Sequence, residues 1–288
     1  MRKNKPSLAI LFSLLAGFFY ACLALNIKLS LQHQGVPLIV FFRQLFSLCF
    51  LFLLFPLERT ESRSLKSRVV PLHLLRAFAS TSGMFCFYIA LKHISLSDAV
   101  MLSYTRPLFI PFVVYLWSGK IGKKNLWIGL LIGFLGVILI LNPDGDVFSF
   151  GSIVGLCSGI LGALAFTTIR KLTKTEPANR IIFYYLIISL FLTAIPLLMT
   201  WETPSSEDWI SLVIIAAIAI AYQSCLTRAY QYASAPIVGS LLYSAVVFSF
   251  FFEYILGHGT SINLAEIIGA ILIAAGSFIS LRSQKEVK

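Results

Sequence analysis

Ten runs of roughly 20 apolar residues, each closed by a short cluster of charged or turn-forming residues, leave this chain little choice of architecture. Coiled as a helix, a run of that length matches the hydrocarbon core of a bilayer, which is about 30 Å thick. The pattern predicts helices over 7–27, 36–57, 69–91, 96–117, 126–142, 151–169, 180–200, 209–232, 235–256 and 262–281. Between them sit polar stretches such as ERTESRSLKSR (58–68), SGKIGKKN (118–125), RKLTKTEPA (170–178) and WETPSSED (201–208). Helices 3 and 4 meet at KHIS and helices 8 and 9 at QYASAP, so those two hairpins are tight. Ten helices leave about eight residues for each loop and tail, too few for any extramembrane domain. Composition agrees: 58% of residues are hydrophobic and 12% charged, with a mean hydropathy of +0.87, where soluble domains run near half and a quarter. The expected fold class is therefore all-α, a polytopic membrane protein with ten transmembrane helices. Transport, channel activity and intramembrane catalysis remain as functions.

Lys and Arg in short loops stay cytoplasmic, so charge gives the orientation. With the N-terminus inside, seventeen Lys and Arg fall on the cytoplasmic side and only Lys28 and Lys92 on the other. That split predicts an N-in, C-in protein of the cell inner membrane. It also accounts for the net charge of +11: the basic residues are spread over every cytoplasmic turn, where anionic lipid headgroups suffice as partners and no nucleic acid is implied. The first run follows RKNK and contains FYAC ending at Cys22, yet it is long enough to span, which favours a retained helix over a cleaved leader. The five cysteines lie in apolar segments without CxxC spacing, so neither a disulfide frame nor a metal centre is expected, and no cofactor. Four histidines scattered at helix ends and no HExxH argue against an enzyme.

The chain also repeats itself. ALKHISLSDAVMLSY (90–104) aligns with AYQYASAPIVGSLLY (229–243), pairing Ala90 with Ala229 and Tyr104 with Tyr243. WIGLLIGFLG (127–136) aligns with IIGAILIAAG (267–276), pairing Gly129 with Gly269 and Gly136 with Gly276, and VFFR (40–43) lies over IFYY (182–185). Two halves, 1–145 and 146–288, each hold five helices. Five is odd, so the second repeat is inverted relative to the first. Two near-equivalent packings facing opposite sides are the physical basis of alternating access around a midplane site.

These residues resemble the drug/metabolite transporter superfamily, in particular its ten-helix EamA-type members. The resemblance spans essentially the whole chain: the tight hairpins ALKHISLSDAV and AYQYASAPIVG, Pro107 in helix 4, and a helix 5 ending ILILNP. FYIALKHISLSDAVMLSYTRPLF and RKLTKTEPANRIIFYY look in addition like the S-adenosylmethionine uptake transporters of intracellular bacteria. The resemblance implies a carrier of small metabolites, with S-adenosylmethionine as the substrate to test and an amino acid or organic anion as the alternative. The chain departs from the pattern at Gly119-Lys120 and Gly257-His258, where many members have Gly-Glu, so no role attached to those glutamates carries over.

The site chemistry should lie where charge sits in hydrocarbon, because an intramembrane ionisable residue costs several kcal/mol, roughly, unless partnered or hydrated. Arg106 is deepest, about ten residues or 15 Å from either end of helix 4, and must face a cavity or a partner. Pro107 and Pro111 each free a carbonyl one turn earlier, which predicts a bend beside it. Arg43 lies a third of the way down helix 2 and competes between cavity and snorkelling. Arg76 and Arg228, within two turns of cytoplasmic ends, are expected to reach lipid phosphates. On helix 8, Gln223, Thr227 and Gln231 form one polar stripe that faces protein or water. Tyr104 and Tyr243 occupy matching repeat positions and are candidates to stack a ring or cap a cation. Substrate contact is therefore expected of Arg106, Tyr104, Tyr243, Arg43, Gln223 and Thr227, and coupling or gating of Asp98, Pro107 and Glu253. Asp98, Glu253 and Glu266 all map to outer ends. A deep site with arginine and no carboxylate suits an acidic substrate rather than a cationic drug. Gly151, Gly155 and Gly159 read as close helix packing. Oligomeric state is open between monomer and homodimer.

Overall fold

The computed structural model describes residues 6–54, 66–94, 96–119, 123–141, 149–255 and 264–285. Within its helices the side chains of Lys28, Lys92, Asp98, Glu253 and Glu266, among others, lie outside the described set. All regular structure there is helical: α1 Pro6–Ser30, α2 Val36–Leu54, α3 Val70–His93, α4 Leu96–Ser103, α5 Arg106–Ser118, α6 Lys124–Leu141, α7 Phe150–Leu172, α8 Ala178–Met199, α9 Ser206–Tyr232, α10 Ala235–Leu242, α11 Ser244–Ile255 and α12 Leu264–Lys285. The pairs α4–α5 and α10–α11 are each one span broken in the middle, giving ten spans. On their own, α1, α2, α7, α8 and α9 are long and apolar enough to cross a bilayer.

Local chemistry sets the boundaries. Ser149 caps α7 by accepting from the Ser152 N–H at 3.1 Å. Ser205 and Asp208 form a capping box on α9, the Asp208 carboxylate accepting from the Ser205 N–H at 2.8 Å. Gly119 ends α5 in the left-handed region at φ 65°, its N–H donating to the Tyr115 carbonyl. Large apolar side chains such as Leu53, Leu116, Phe191, Leu198 and Ile271 face outward, while Arg43, Gln44, His73, Arg76 and Thr81 are buried. Apolar outside and polar inside is the arrangement a bilayer favours.

The halves interlock across a pseudo-twofold axis. The first span of each half packs on the third span of the other, α1 on α9 and α7 on α3, while α2 meets its counterpart α8 and α6 meets α12. In the α6–α12 contact Gly129 faces Gly276 and Gly136 faces Gly269. A twofold that exchanges Gly129 with Gly269 and Gly136 with Gly276 turns one of these contacts into the other.

The bend foreseen beside Arg106 is a full break at Tyr104–Thr105. Proline explains only part of it, because the other half breaks near its equivalent, Tyr243, with no proline at the break. Both breaks tighten to i→i−3 bonds: Thr105 to Leu102 at 3.2 Å and Leu108 to Thr105 at 2.9 Å, against Tyr243 to Ser240 at 3.3 Å and Val246 to Tyr243 at 3.0 Å. Each break rests on a glycine of the other half's first span. A Cβ on Gly17 would lie 2.6 Å from the Ser244 hydroxyl, and one on Gly159 would lie 2.8 Å from the Leu102 carbonyl oxygen. Gly151 meets His93 and Ile94, and Gly155 meets Leu102, so the α7 glycines do serve close packing.

Candidate substrate cavity

At the centre of the bundle lies a cavity of about 310 Å³, walled by α1, α2, α3, the α4–α5 break, α6, α7, α8, α9 and α11. That volume is near the lower end for ligand pockets, roughly 300–1,000 Å³. The lining runs from Arg106 at midspan to Leu31, Phe87, Ile140 and Phe252, close to the helix ends remote from the basic loops.

Arg106 is held by the break it stands beside. In a continuous helix the Ser103 carbonyl would accept from the N–H of residue 107, but Pro107 has none. Arg106 Nε donates to that carbonyl at 2.8 Å, and an Nη donates to the Ser103 hydroxyl. Its guanidinium carbon lies 5.5 Å from the Phe166 ring centre and 6.0 Å from those of Tyr20 and Tyr104. Gly162 makes room, since a Cβ there would sit 3.2 Å from the arginine Cδ and Nε.

Arg43 also lines the cavity and does not snorkel. One Nη donates to the Tyr185 hydroxyl at 3.3 Å, Gln44 donates to the same oxygen at 3.0 Å, and Arg43 Nε is buried without a partner. The expectation that Arg76 reaches lipid phosphates is overturned. It is 1% exposed, donates to the Ile181 carbonyl at 2.6 Å and to Gln223 Oε1 at 3.2 Å, and lies 4.5 Å over the Tyr185 ring. α3 directs it inward, because α8 and α9 offer acceptors there that lipid tails do not. Arg228 is half-buried and donates to the Ser224 carbonyl at 3.3 Å.

Tyr104 and Gln223 line the cavity with Arg106 and Arg43. Tyr243 does not: it is fully buried against Gly133 of α6, its hydroxyl unpartnered. Thr227 is fully buried and is not in the lining either. Pro107 begins α5 behind Arg106, against Gly239. Asp98 and Glu253 belong to α4 and α11, but their side chains lie outside the described residues. The sequence reading missed Tyr20, Tyr88, Tyr185 and Tyr222, which wall the cavity; Tyr20 and Tyr222 meet with centroids 5.3 Å apart. One signal was present: the repeat lays Arg43 over Tyr185, and the two touch.

Toward the basic loops the described elements are joined by several polar contacts. Ser67 donates to Glu176 at 2.7 Å, Glu176 pairs with Arg180 at 2.5 Å, His73 stacks on Tyr184 at 4.3 Å, and Arg170 donates to the Tyr230 carbonyl at 2.6 Å. Among the described residues no group of His, Cys, Asp and Glu is placed to hold a metal ion.

Among the described residues, ten spans in two interlocking halves surround a central cavity, the architecture of a polytopic membrane protein. The chain belongs to the EamA-like transporter family, whose model matches residues 7–142 and again 149–282. It is 29% identical over 280 residues to the pseudopaline exporter of Pseudomonas aeruginosa, covering 96% of each chain. It is 26% identical over 243 residues to the riboflavin transporter of Vibrio cholerae, covering 82% of this chain and 80% of that one. An uncharacterized transporter of Helicobacter pylori is 27% identical over 99% of both chains. A solved crystal structure at 18% identity superimposes with a TM-score of 0.82 over 98% of this chain and 99% of that one, a likeness of fold alone.

Proposed function

We propose that this protein is a secondary transporter that moves a small carboxylate-bearing metabolite across the cell inner membrane by alternating access, with S-adenosylmethionine the leading candidate and exchange the mode to test. The observation that carries the reading is the pair of deep arginines, Arg43 and Arg106, in one cavity walled by tyrosines. A guanidinium grips a carboxylate through two parallel bonds, and tyrosine faces suit a planar ring or a cation. Substrate contact falls to Arg106, Arg43, Tyr104 and Gln223; Tyr243 and Thr227 lack a lining position to support that role. The halves 1–145 and 146–288 supply the two packings, and the charge asymmetry of the loops supports cytoplasmic termini. On that orientation the cavity faces outward, the Ser67–Glu176–Arg180 contacts lie on the cytoplasmic side, and Asp98 and Glu253 stand at the outer ends as gating or coupling candidates. Lipid headgroups and the substrate are its partners; metal and nucleic acid are not.

A second reading is a carrier of an amino acid or organic anion, and one observation favours the organic anion within it: the described lining contains no carboxylate to meet a substrate cation. The relatives named for pseudopaline and riboflavin support a metabolite carrier without choosing between these. Uptake of labelled S-adenosylmethionine into proteoliposomes, empty or preloaded, tests the first reading against unlabelled amino acids and organic anions. Saturable uptake accelerated by internal substrate is the expected result. Absence of uptake, with flux of a competitor, removes S-adenosylmethionine and leaves the second reading.

A further inference from the structure

Arg43, Arg76 and Arg106 place three cations inside one membrane bundle, and none is in an ion pair among the described residues, where Arg180 pairs with Glu176 near the basic loops. The acidic positions of the spans have side chains outside the described set: Asp98 precedes Arg106 by eight residues, about 12 Å if helical throughout, and Glu253 follows the lining residue Phe252 toward the outer end of α11. Arg76 spreads its charge over neutral acceptors, the Ile181 carbonyl and Gln223, and does not line the cavity. The two that do are likewise held by neutral groups alone. Arg43 is nine-tenths buried, with Nε unpartnered and one long bond of 3.3 Å to Tyr185. Arg106 commits Nε and one Nη to Ser103, and its guanidinium also bonds the Tyr20 hydroxyl, so every partner it has is neutral. Two guanidinium groups on one cavity in low dielectric repel each other and are expensive to desolvate. The Tyr20, Tyr104 and Phe166 rings near Arg106 offset part of that, but the described lining supplies no anion, as its other polar groups are hydroxyls and an amide.

We propose that the substrate carries two acidic groups, one seated on Arg43 and one on Arg106, with its middle against the Tyr20 and Tyr222 rings. A dicarboxylate, or a carboxylate with a phosphate, neutralises both cations at once. A zwitterion or a sulfonium brings a positive charge for which the described lining holds no anion. Tyr104 lines the same cavity, with its hydroxyl buried and without a partner. The inference rests on the reading of this cavity as the transport site, and within that reading it favours the organic anion over S-adenosylmethionine, which carries a single acidic group.

The test uses the purified full chain in detergent and in proteoliposomes. Probes are a series of dicarboxylates of increasing span, flexible and aromatic, each with its monomethyl ester, and S-adenosylmethionine. Ligand-induced thermal stabilisation and uptake are read for the wild type, Arg43→Gln and Arg106→Gln, with the ligand-free melting temperature of each variant as the check on folding and Arg106→Lys as a second variant at the break. The expected result is that at least one diacid binds about tenfold or more tightly than its monoester, the scale of a charge-assisted bond, and that the ratio falls toward one in Arg43→Gln. Equal binding of diacid and monoester by the wild type, or no stabilisation by any diacid, overturns the two-acid substrate. If S-adenosylmethionine uptake is then lost in Arg106→Gln, the cavity survives as the transport site. Uptake unchanged in both variants removes the cavity as well.

Discussion

Replacing Arg106 with alanine removes two things at once, and a second substitution separates them. The Ser103 carbonyl is orphaned by Pro107 and satisfied by Arg106 Nε at 2.8 Å. Ser103 is 1% exposed, so Arg106→Ala strands a buried acceptor at a cost of about 1–3 kcal/mol. It also removes a cation from the cavity. Pro107→Ala restores an N–H one turn beyond Ser103, where it can donate to that carbonyl. Alone it should change stability by less than about 1 kcal/mol, because the charge-assisted arginine bond already holds the acceptor. In the double variant the backbone N–H takes over and recovers about 1 kcal/mol, the net value of an ordinary hydrogen bond. Transport should not return, since the guanidinium is still missing. Unfolding in detergent gives the stability of the four proteins, and uptake per inserted molecule of the substrate established for the wild type gives function. A double variant that regains transport would show that Arg106 acts only through the helix break. One that regains no stability would show that the Ser103 carbonyl was never the missing partner.

Three further outcomes follow from particular contacts. Gly136→Ala puts a methyl 2.5 Å from the Gly269 carbonyl oxygen and Gly269→Ala puts one 2.7 Å from that of Gly136; restoring an ordinary C···O contact of about 3.3–3.6 Å parts α6 from α12 by about 0.6–1.1 Å. Each should cost about 1–3 kcal/mol and the pair less than the sum, while Gly35→Ala, whose nearest neighbour is 4.0 Å away, should leave the melting temperature unchanged. Tyr243→Phe should preserve transport because its hydroxyl is buried, unpartnered and off the cavity, whereas Tyr104→Phe removes a hydroxyl at the cavity wall and should raise the apparent KM; equal kinetics in the two variants would contradict this. Glu176→Ala releases both Ser67 and Arg180, and because the carboxylate is almost fully buried the loss should be about 1–3 kcal/mol with faster proteolysis near Ser67; unchanged proteolysis would mean that this tie does not hold the loop.

Depth in the membrane was legible and direction was not. Span boundaries follow from counting apolar residues, and the helices begin and end close to the expected positions. Counting also places Arg76 near a helix end, but α3 is apolar on most sides, so nothing in its sequence says that Arg76 turns toward Ile181 and Gln223 rather than to lipid. The break at Tyr243 was invisible for a related reason: no proline marks it, and the segment it packs on, at Gly17 of α1, is more than 220 residues away in sequence. Tyr20 and Tyr222 were hidden among many aromatic residues that face lipid or core.

The repeat that made the fold legible also isolates the chemistry. By the alignment of the halves, Arg43 corresponds to Tyr185, Arg76 to Ile215 and Arg106 to Ala245, so all three deep cations come from the first half and none has a charged mate. Symmetry of backbone is what two opposed packings require: the glycine seam of α6 and α12, the paired breaks and the reciprocal α1–α9 and α7–α3 contacts all obey it. A single substrate near the axis needs no symmetry, and a second set of arginines there would add charge that one ligand could not neutralise. The pair that meets across the axis, Arg43 and Tyr185, shows how this is resolved: where twofold repetition would set guanidinium against guanidinium, the second half presents a neutral hydroxyl that accepts the first half's bond at 3.3 Å.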